Sequence, residues 1–116
     1  MRNILFFLLL FVTQFAISQI ESKPISEFID FDESAEVLLD VRTPAEFEAG
    51  CINGAVNINW LSDEFNQQIQ GVDKSKKIFV YCKMGGRSLK SQERLVELGF
   101  KNVVNLEGGY DAYSSK

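Results

Sequence analysis

Histidine is absent from this chain of 116 residues. Without imidazole the protein cannot build a Ser–His–Asp triad or a Cys–His dyad, and histidine cannot bind a metal for it. Cysteine is nearly as scarce, since only Cys51 and Cys82 are present. Two cysteines are too few for a disulfide framework, and two thiolates alone do not form a structural zinc site. We therefore expect neither a metal nor a cofactor.

A long apolar segment is also missing. The longest uninterrupted apolar run covers residues 4–12, whereas a membrane-spanning helix needs roughly 20 apolar residues. Arg2 precedes this run, and Ala16 and Ser18 are small residues two positions apart, as a signal peptidase site requires. We interpret residues 1–18 as a signal peptide that is cut after Ser18. Residues 19–116 then form one exported domain with no membrane attachment.

Positive charge is in deficit as well. Cleavage after residue 18 removes Arg2 and leaves 11 basic and 16 acidic side chains, a net charge of −5. An acidic domain of this kind is a poor candidate for binding nucleic acid or an anionic membrane. The remaining 98 residues are enough for one modest hydrophobic core. We expect a soluble monomer.

Apolar runs of strand length alternate with helical patterns along the chain. Strands are predicted over residues 36–41, 55–60, 76–82 and 102–106. Helices are predicted over residues 24–34, 43–50 and 88–98, with residues 61–71 helical or irregular and residues 19–23 a loose lead-in. Because the strands are continuous apolar runs, they indicate an α/β fold with a parallel sheet covered on both faces.

Cys82 stands at the carboxyl end of the strongest predicted strand, directly before a helix. Open parallel sheets bind their ligands outside the carboxyl ends of the strands. The following residues, "KMGGRS", include Gly85 and Gly86, which let the chain reverse tightly and aim successive amides into one anion-binding concavity. The alternative interpretation is that Cys82 is a small apolar residue of the core.

Charge around this loop is expected to favour the thiolate of Cys82. The helix that starts near Ser88 presents its positive end, and Lys83 and Arg87 add full positive charges at the rim. Together these groups are predicted to lower the pKa of Cys82 below the ordinary value for a free thiol.

Three separated segments together resemble single-domain rhodaneses, which are thiosulfate-type sulfurtransferases. They are "LLDVRTPAEFEAGCINGAVNI" at residues 38–58, "VYCKMGGRS" at 80–88 and "VVNLEGGYDAY" at 103–113. The resemblance implies a three-layer fold with a five-stranded parallel sheet and helices on both faces. It also implies that Cys82 takes the outer sulfur of a donor, carries it as a persulfide and passes it to cyanide or a thiol, possibly on a protein.

The resemblance assigns roles to further residues. The backbone amides that would cradle the persulfide belong to Lys83, Met84, Gly85, Gly86, Arg87 and Ser88. Asp40 and Arg42 would be structural, with Arg42 pairing Glu46. The chain departs from the family pattern at Cys51, where histidine is usual, and at Tyr113, where tryptophan is usual.

These assignments carry further expectations. Lys83 and Met84 line the loop, and Lys83 is expected to favour a small anionic donor such as thiosulfate. Cys51 is expected at the opposite edge of the sheet from Cys82, too far for a disulfide. Among exported locations we expect the periplasm, because a persulfide carrier needs reduced thiol partners close at hand.

Two other functions remain open at this point. A phosphatase or arsenate reductase on the same fold would need five residues between cysteine and arginine, whereas four separate Cys82 from Arg87. Alternatively, the domain could bind a partner or sense oxidants without catalysing a reaction.

Overall fold

A parallel sheet forms the centre of the molecule. The computed structural model describes residues 19–115. The strands are β1 (Gln19–Pro24), β2 (Glu36–Asp40), β3 (Val56–Asn57), β4 (Lys77–Tyr81) and β5 (Asn102–Glu107). They pair in the order β1–β5–β4–β2–β3, and every neighbouring pair is parallel. The five-stranded parallel sheet implied by the resemblance is confirmed.

Three helices and one 3₁₀ turn connect the strands, and a fourth helix follows the last strand. The helices are α1 (Pro44–Ala49), α2 (Phe65–Ile69), α3 (Gly86–Glu97) and α4 (Gly109–Ser114), and the 3₁₀ turn is Ile25–Glu27. Within residues 19–115, no helix is both long and apolar enough to cross a membrane. The predicted signal peptide, residues 1–18, lies outside the described part of the chain.

Each face of the sheet has its own apolar core. Alternate residues of β4 divide between the two, with Val80 in one and Tyr81 in the other. The first core is covered by α2 and α3, and the second by the 3₁₀ turn and α4. Cys82 continues the alternation of β4 and lies in the first core, beneath α3. The strands read as continuous apolar runs because both of their faces are buried.

Residues 19–23 are not a loose lead-in. They form β1, an edge strand that pairs along its whole length with β5, from Gln19 opposite Asn102 to Pro24 opposite Glu107. The polar residues of this segment suggested a loop, but an edge strand can carry polar and charged residues that a central strand does not. Ile20 is correspondingly exposed.

The helix predicted over residues 24–34 is also wrong. Only the 3₁₀ turn is helical there, and Phe28 already has an extended backbone. The carboxylates of Asp30 and Asp32 accept hydrogen bonds from nearby backbone amides, a local alternative to helical hydrogen bonding. Ile25 and Phe28 are nevertheless buried. The apolar pattern therefore identified core residues correctly, although their backbone is not α-helical.

Two further predictions need smaller corrections. β3 contains only Val56 and Asn57, although a strand was predicted over residues 55–60. The helix predicted over residues 88–98 is α3, which begins earlier, at Gly86, and its Leu89 is about half exposed. The helix predicted over residues 43–50 is α1, and Thr43 and Glu46 exchange hydrogen bonds in a capping box at its start.

The position predicted for Cys51 is wrong. Both cysteines are free. The six residues of α1 span only about 9 Å, so they do not return the chain to the amino edge of the sheet. Arg42 donates to the carbonyl of Gly50, and Ile52 donates to the hydroxyl of Tyr81. Cys51 therefore lies near the carboxyl edge.

The surroundings of the two cysteines differ. Ile52, next to Cys51, packs into the second core with Tyr81, whereas Cys82 belongs to the first core beneath α3. Cys51 is exposed and Cys82 is buried.

Candidate active site

The sulfur of Cys82 is enclosed by the loop that follows it. The residue is 1% exposed. The backbone N–H of Gly85 donates to Sγ at 3.0 Å, and Sγ lies 3.4 Å from the hydroxyl oxygen of Ser88. Gly85 has φ of +117°, a conformation that L-residues with a side chain rarely adopt. This turn folds the loop back so that its amides face the sulfur.

Hydrogen bonds determine the acidity of this thiol. Burial is the largest single effect and raises the pKa of Cys82, because a thiolate is poorly solvated in the core. The hydroxyl of Ser88 and the amides of Ser88, Gly85 and Met84 act in the opposite direction. They outweigh burial, so the pKa of Cys82 lies below its ordinary value. The direction agrees with the sequence prediction, but the largest lowering effects come from hydrogen bonds.

The amino end of α4 supports the loop from the other side. Tyr110 donates its backbone N–H to the carbonyl of Cys82 at 2.8 Å, and Asp111 donates to the carbonyl of Lys83 at 3.1 Å. With both carbonyls turned toward α4, the amides that follow are free to face Sγ. Gly109 has φ of +64°, and a Cβ there would lie 2.4 Å from the carbonyl oxygen of Lys83. Glycine is therefore needed for this close approach.

Both cationic side chains of the loop are paired with carboxylates. Arg87 makes a two-pronged contact with Glu46 of α1, at 2.8 and 3.0 Å. Lys83 lies 2.7 Å from Asp111 of α4. Positive charge near the sulfur is therefore matched by negative charge at the same rim.

The pairing predicted for Arg42 is wrong. Its guanidinium binds the carboxylate of Asp40, with Nη2 2.7 Å from Oδ2, and the pair is buried. The partner of Glu46 is Arg87, because α1 lies at the carboxyl edge within reach of the first turn of α3. Arg42 also lies over the ring of Tyr110, 4.4 Å from its centroid. Asp40 and Arg42 thus stabilise the edge that holds α4.

The remaining predicted site residues are placed as follows. Met84 is 72% exposed at the loop apex. Gly86 is the first residue of α3, and a Cβ there would meet no atom within 4 Å. Ser88 is buried, and its hydroxyl donates to the carbonyl of Gly85 at 3.1 Å. Sγ therefore accepts a hydrogen bond from Gly85 in the middle of the predicted six-residue cradle and donates one to the hydroxyl of Ser88 at its end.

Sequence reasoning did not identify the contribution of α4. Gly108 and Gly109 received no role from the sequence, yet Tyr110 and Asp111, directly after them, donate their backbone N–H groups to the loop carbonyls. Their position after β5, beside the strand that carries Cys82, is the signal that could have identified them. The pairing of Glu46 with Arg87 has no local signal, because 41 residues separate the two.

No metal site is evident in the described residues. Among residues 19–115, no group of three or more potential ligands (Cys, Asp or Glu) is close enough to hold an ion. The chemistry available at this site is that of a buried, hydrogen-bonded thiol whose pKa is lowered by the loop around it.

Comparison with known proteins identifies the family. The family model for the Rhodanese-like domain matches residues 25–116. The chain belongs to the rhodanese-like domain family. A solved structure of a rhodanese-related protein from Thermoplasma volcanium superposes with a TM-score of 0.70 at 29% identity, covering 82% of this chain and 91% of that one.

Rhodanese-like relatives differ in their overall size and in the function their names give. Thiosulfate sulfurtransferase 16, chloroplastic, from Arabidopsis thaliana is 36% identical over 86 residues, covering 66% of this chain and 72% of the relative. A tRNA uridine(34) hydroxylase from Sodalis glossinidius is 35% identical over 91 residues, covering 73% of this chain but 25% of that protein. The same domain thus occurs nearly alone and within a much longer enzyme.

Proposed function

We propose that this protein is a sulfurtransferase that moves sulfane sulfur from a donor to a thiophilic acceptor through a persulfide on Cys82. The observation that carries the proposal is the enclosed sulfur of Cys82, which accepts a hydrogen bond from the amide of Gly85 and adjoins the hydroxyl of Ser88. These groups stabilise a thiolate in a site that contains no histidine base.

The proposed reaction has two displacement steps. The thiolate of Cys82 attacks the outer sulfur of the donor, a new S–S bond forms, and the original bond to that sulfur breaks. The rest of the donor leaves with the electron pair of that bond, as sulfite from thiosulfate or as a thiolate from an organic persulfide. Cyanide or a thiolate then attacks the outer sulfur of the Cys82 persulfide, and the thiolate of Cys82 is regenerated.

The loop suits the persulfide because its amides converge on one sulfur position. The N–H of Gly85 already points at Sγ, and the loop carbonyls of Cys82 and Lys83 are turned away toward α4. Negative charge that moves from Sγ to the terminal sulfur would remain among amide donors.

A phosphatase or arsenate reductase function fits this loop less well. The amide of Gly85 lies in direct contact with the thiol sulfur, and only four residues separate Cys82 from Arg87. Arg87, the side chain that would neutralise an oxyanion, is already bound to Glu46.

Sulfur transfer to cyanide tests the proposal. The protein is incubated with a sulfane sulfur donor and cyanide, and thiocyanate is measured for wild type, Cys82→Ser and Cys51→Ser. We expect thiocyanate from wild type and from Cys51→Ser, and none above background from Cys82→Ser. If folded, reduced wild-type protein transfers sulfur from neither thiosulfate nor an organic persulfide, the proposal is wrong and a binding or redox-sensing role takes its place.

A further inference from the structure

The rim of the Cys82 site carries no excess positive charge from its loop. The two cationic side chains of residues 82–88 are Lys83 and Arg87. Each lies within ion-pairing distance of a carboxylate, from Asp111 and Glu46 respectively. The two pairs together sum to zero charge. A small dianion that approaches the buried sulfur therefore meets two dipolar pairs in place of two free cations.

The pair between Arg87 and Glu46 is built to persist. Both oxygens of Glu46 are engaged by the guanidinium, and one of them also accepts hydrogen bonds from the amide and hydroxyl of Thr43. The contact with Arg87 is the main cause that lowers the pKa of Glu46 to about 2. The carboxylate stays ionised at neutral pH and occupies both prongs of the arginine, the arrangement that would otherwise bind an oxyanion.

The ion pair between Lys83 and Asp111 is weaker than that between Arg87 and Glu46. It also joins a cationic side chain of the loop to a carboxylate from another helix. The two side chains are 51% and 46% exposed, and exposed pairs of this kind contribute little stability. Lys83 can leave the carboxylate, but Asp111 remains fixed at the amino end of α4, close to the site. For any incoming anion, the negative charge of Asp111 therefore offsets the positive charge of Lys83.

The amides of the loop do not replace the missing cations. The N–H of Gly85 is directed at Sγ itself. The groups that lower the pKa of Cys82 are, in order, the hydroxyl and amide of Ser88 and the amides of Gly85 and Met84. These donors stabilise the attacking thiolate. At the loop apex the exposed side chain is Met84, which offers an apolar contact to a donor.

We propose that the site discriminates against small anionic donors and favours sulfane sulfur carried on an uncharged organic thiol, that is, an alkyl persulfide. The inference rests on the proposed sulfurtransferase function and reverses the expectation that Lys83 selects thiosulfate. In the step concerned, the thiolate of Cys82 attacks the terminal sulfur of RS–SH. A Cys82–S–SH bond forms, the RS–S bond breaks, and RS⁻ leaves with its electron pair.

The test compares two donors on the full chain and on two variants. The donors are thiosulfate and the persulfide of N-acetylcysteamine, which has no carboxylate. The variant Glu46→Gln frees the charge of Arg87, and glutamine at this position preserves the capping hydrogen bonds with Thr43. The matched control is Glu48→Gln, which removes the same charge from an exposed position of the same helix. The readout is the rate at which Cys82 gains one sulfur atom, followed by mass spectrometry.

Glu46→Gln is expected to raise the rate constant with thiosulfate about tenfold, because a dianion then meets an unpaired cation at the rim of the site. The rate constant with the uncharged persulfide should change less than about twofold, so the selectivity shifts toward thiosulfate. Glu48→Gln should leave both rate constants near wild type. The selectivity is the ratio of the rate constants for the two donors. Because the intrinsic reactivity of each donor is the same with every variant, it cancels when these ratios are compared between variants.

Two other outcomes overturn the inference in distinguishable ways. If Glu46→Gln leaves the selectivity between the donors unchanged, or raises both rate constants equally, the ion pair does not exclude anionic donors and this inference is wrong while the sulfurtransferase function stands. If neither donor adds sulfur to Cys82 in any of the proteins, the proposed function fails and the inference fails with it.

Discussion

At the scale of single residues, Ser88 has the most direct influence on the reactive sulfur. Its hydroxyl lies 3.4 Å from Sγ of Cys82 and donates to the carbonyl of Gly85. A hydroxyl can rotate, so it can accept from the thiol and donate to the thiolate. Among the groups that lower the pKa of Cys82, the Ser88 side chain has the largest effect.

Ser88→Ala should therefore raise the pKa of Cys82. The thiolate loses a donor, while burial, which disfavours the charge, stays the same. The measurement is the pH dependence of Cys82 alkylation by iodoacetamide in a Cys51→Ser background. Ser91→Ala is the matched control, because Ser91 is also buried in α3 but donates to the carbonyl of Arg87 at 2.8 Å. If the pKa of Cys82 rises equally in Ser88→Ala and Ser91→Ala, the role assigned to Ser88 is contradicted.

At the scale of elements, α4 fixes the loop that carries Cys82. The helix is only six residues long, too short to be stable alone. Its anchors are the hydrogen bonds from its amino end to the loop carbonyls, the packing of Tyr110 and Tyr113 on the second core, and Arg42 over the ring of Tyr110.

Gly109→Ala should separate α4 from the loop. The added Cβ would lie 2.6 Å from the carbonyl oxygen of Cys82, and the backbone conformation at φ +64° is unfavourable for alanine. We expect a loss of about 1–3 kcal/mol in the free energy of unfolding, measured in urea. Gly71→Ala, where a Cβ makes only ordinary contact at 3.5 Å, should lose far less. If Gly109→Ala is as stable as wild type, residue 109 does not pack as closely against the carbonyls of Cys82 and Lys83 as the structure indicates.

The same elements show where sequence reasoning reached its limit. The central strands β2, β4 and β5 were predictable because burial on both faces leaves an unbroken apolar run. Edge strand β1 was missed, because its stability comes from backbone pairing with β5 and its side chains remain largely polar. The segment after it was misread as a helix, since Ile25 and Phe28 have helical spacing whereas Asp30 and Asp32 hydrogen-bond locally.

The candidate site was predictable in part for a similar reason. Cys82 and its loop form one local motif at a strand end, and local motifs are readable from spacing. The partners of Arg42, Arg87 and Lys83 come from other elements, and only the folded arrangement determines them. The positive charges of Lys83 and Arg87, which the sequence suggested would be free at the loop, are paired with carboxylates in the structure.

At the scale of the whole molecule, Glu46 links α1 to α3 across the carboxyl edge. The pKa of Glu46 is lowered from 4.5 to about 2, chiefly by its hydrogen bonds with Arg87. A carboxylate with a lowered pKa stabilises the fold fully above its ordinary pKa, and this contribution disappears as the pH falls through the folded value. The protein should therefore lose stability in acid between pH 4.5 and about 2.

Urea unfolding at a series of pH values isolates this contribution. Between about pH 6 and pH 3, wild type should lose about 1–2 kcal/mol more than Glu46→Gln, which has no carboxylate to protonate at that position. Glu48→Gln should follow wild type. If Glu46→Gln and wild type lose stability in parallel, the ion pair makes no net contribution to the fold.

The persulfide on Cys82 can be detected directly from the mass of the protein after reaction with a sulfane sulfur donor. Wild type and Cys51→Ser, treated with the persulfide of N-acetylcysteamine, should each gain one sulfur atom on the peptide that contains Cys82. Subsequent cyanide should remove it as thiocyanate, and Cys82→Ser should gain no sulfur that cyanide removes. A stable persulfide on Cys51 alone, or none on folded wild type, would contradict the account of Cys82 as the sulfur carrier.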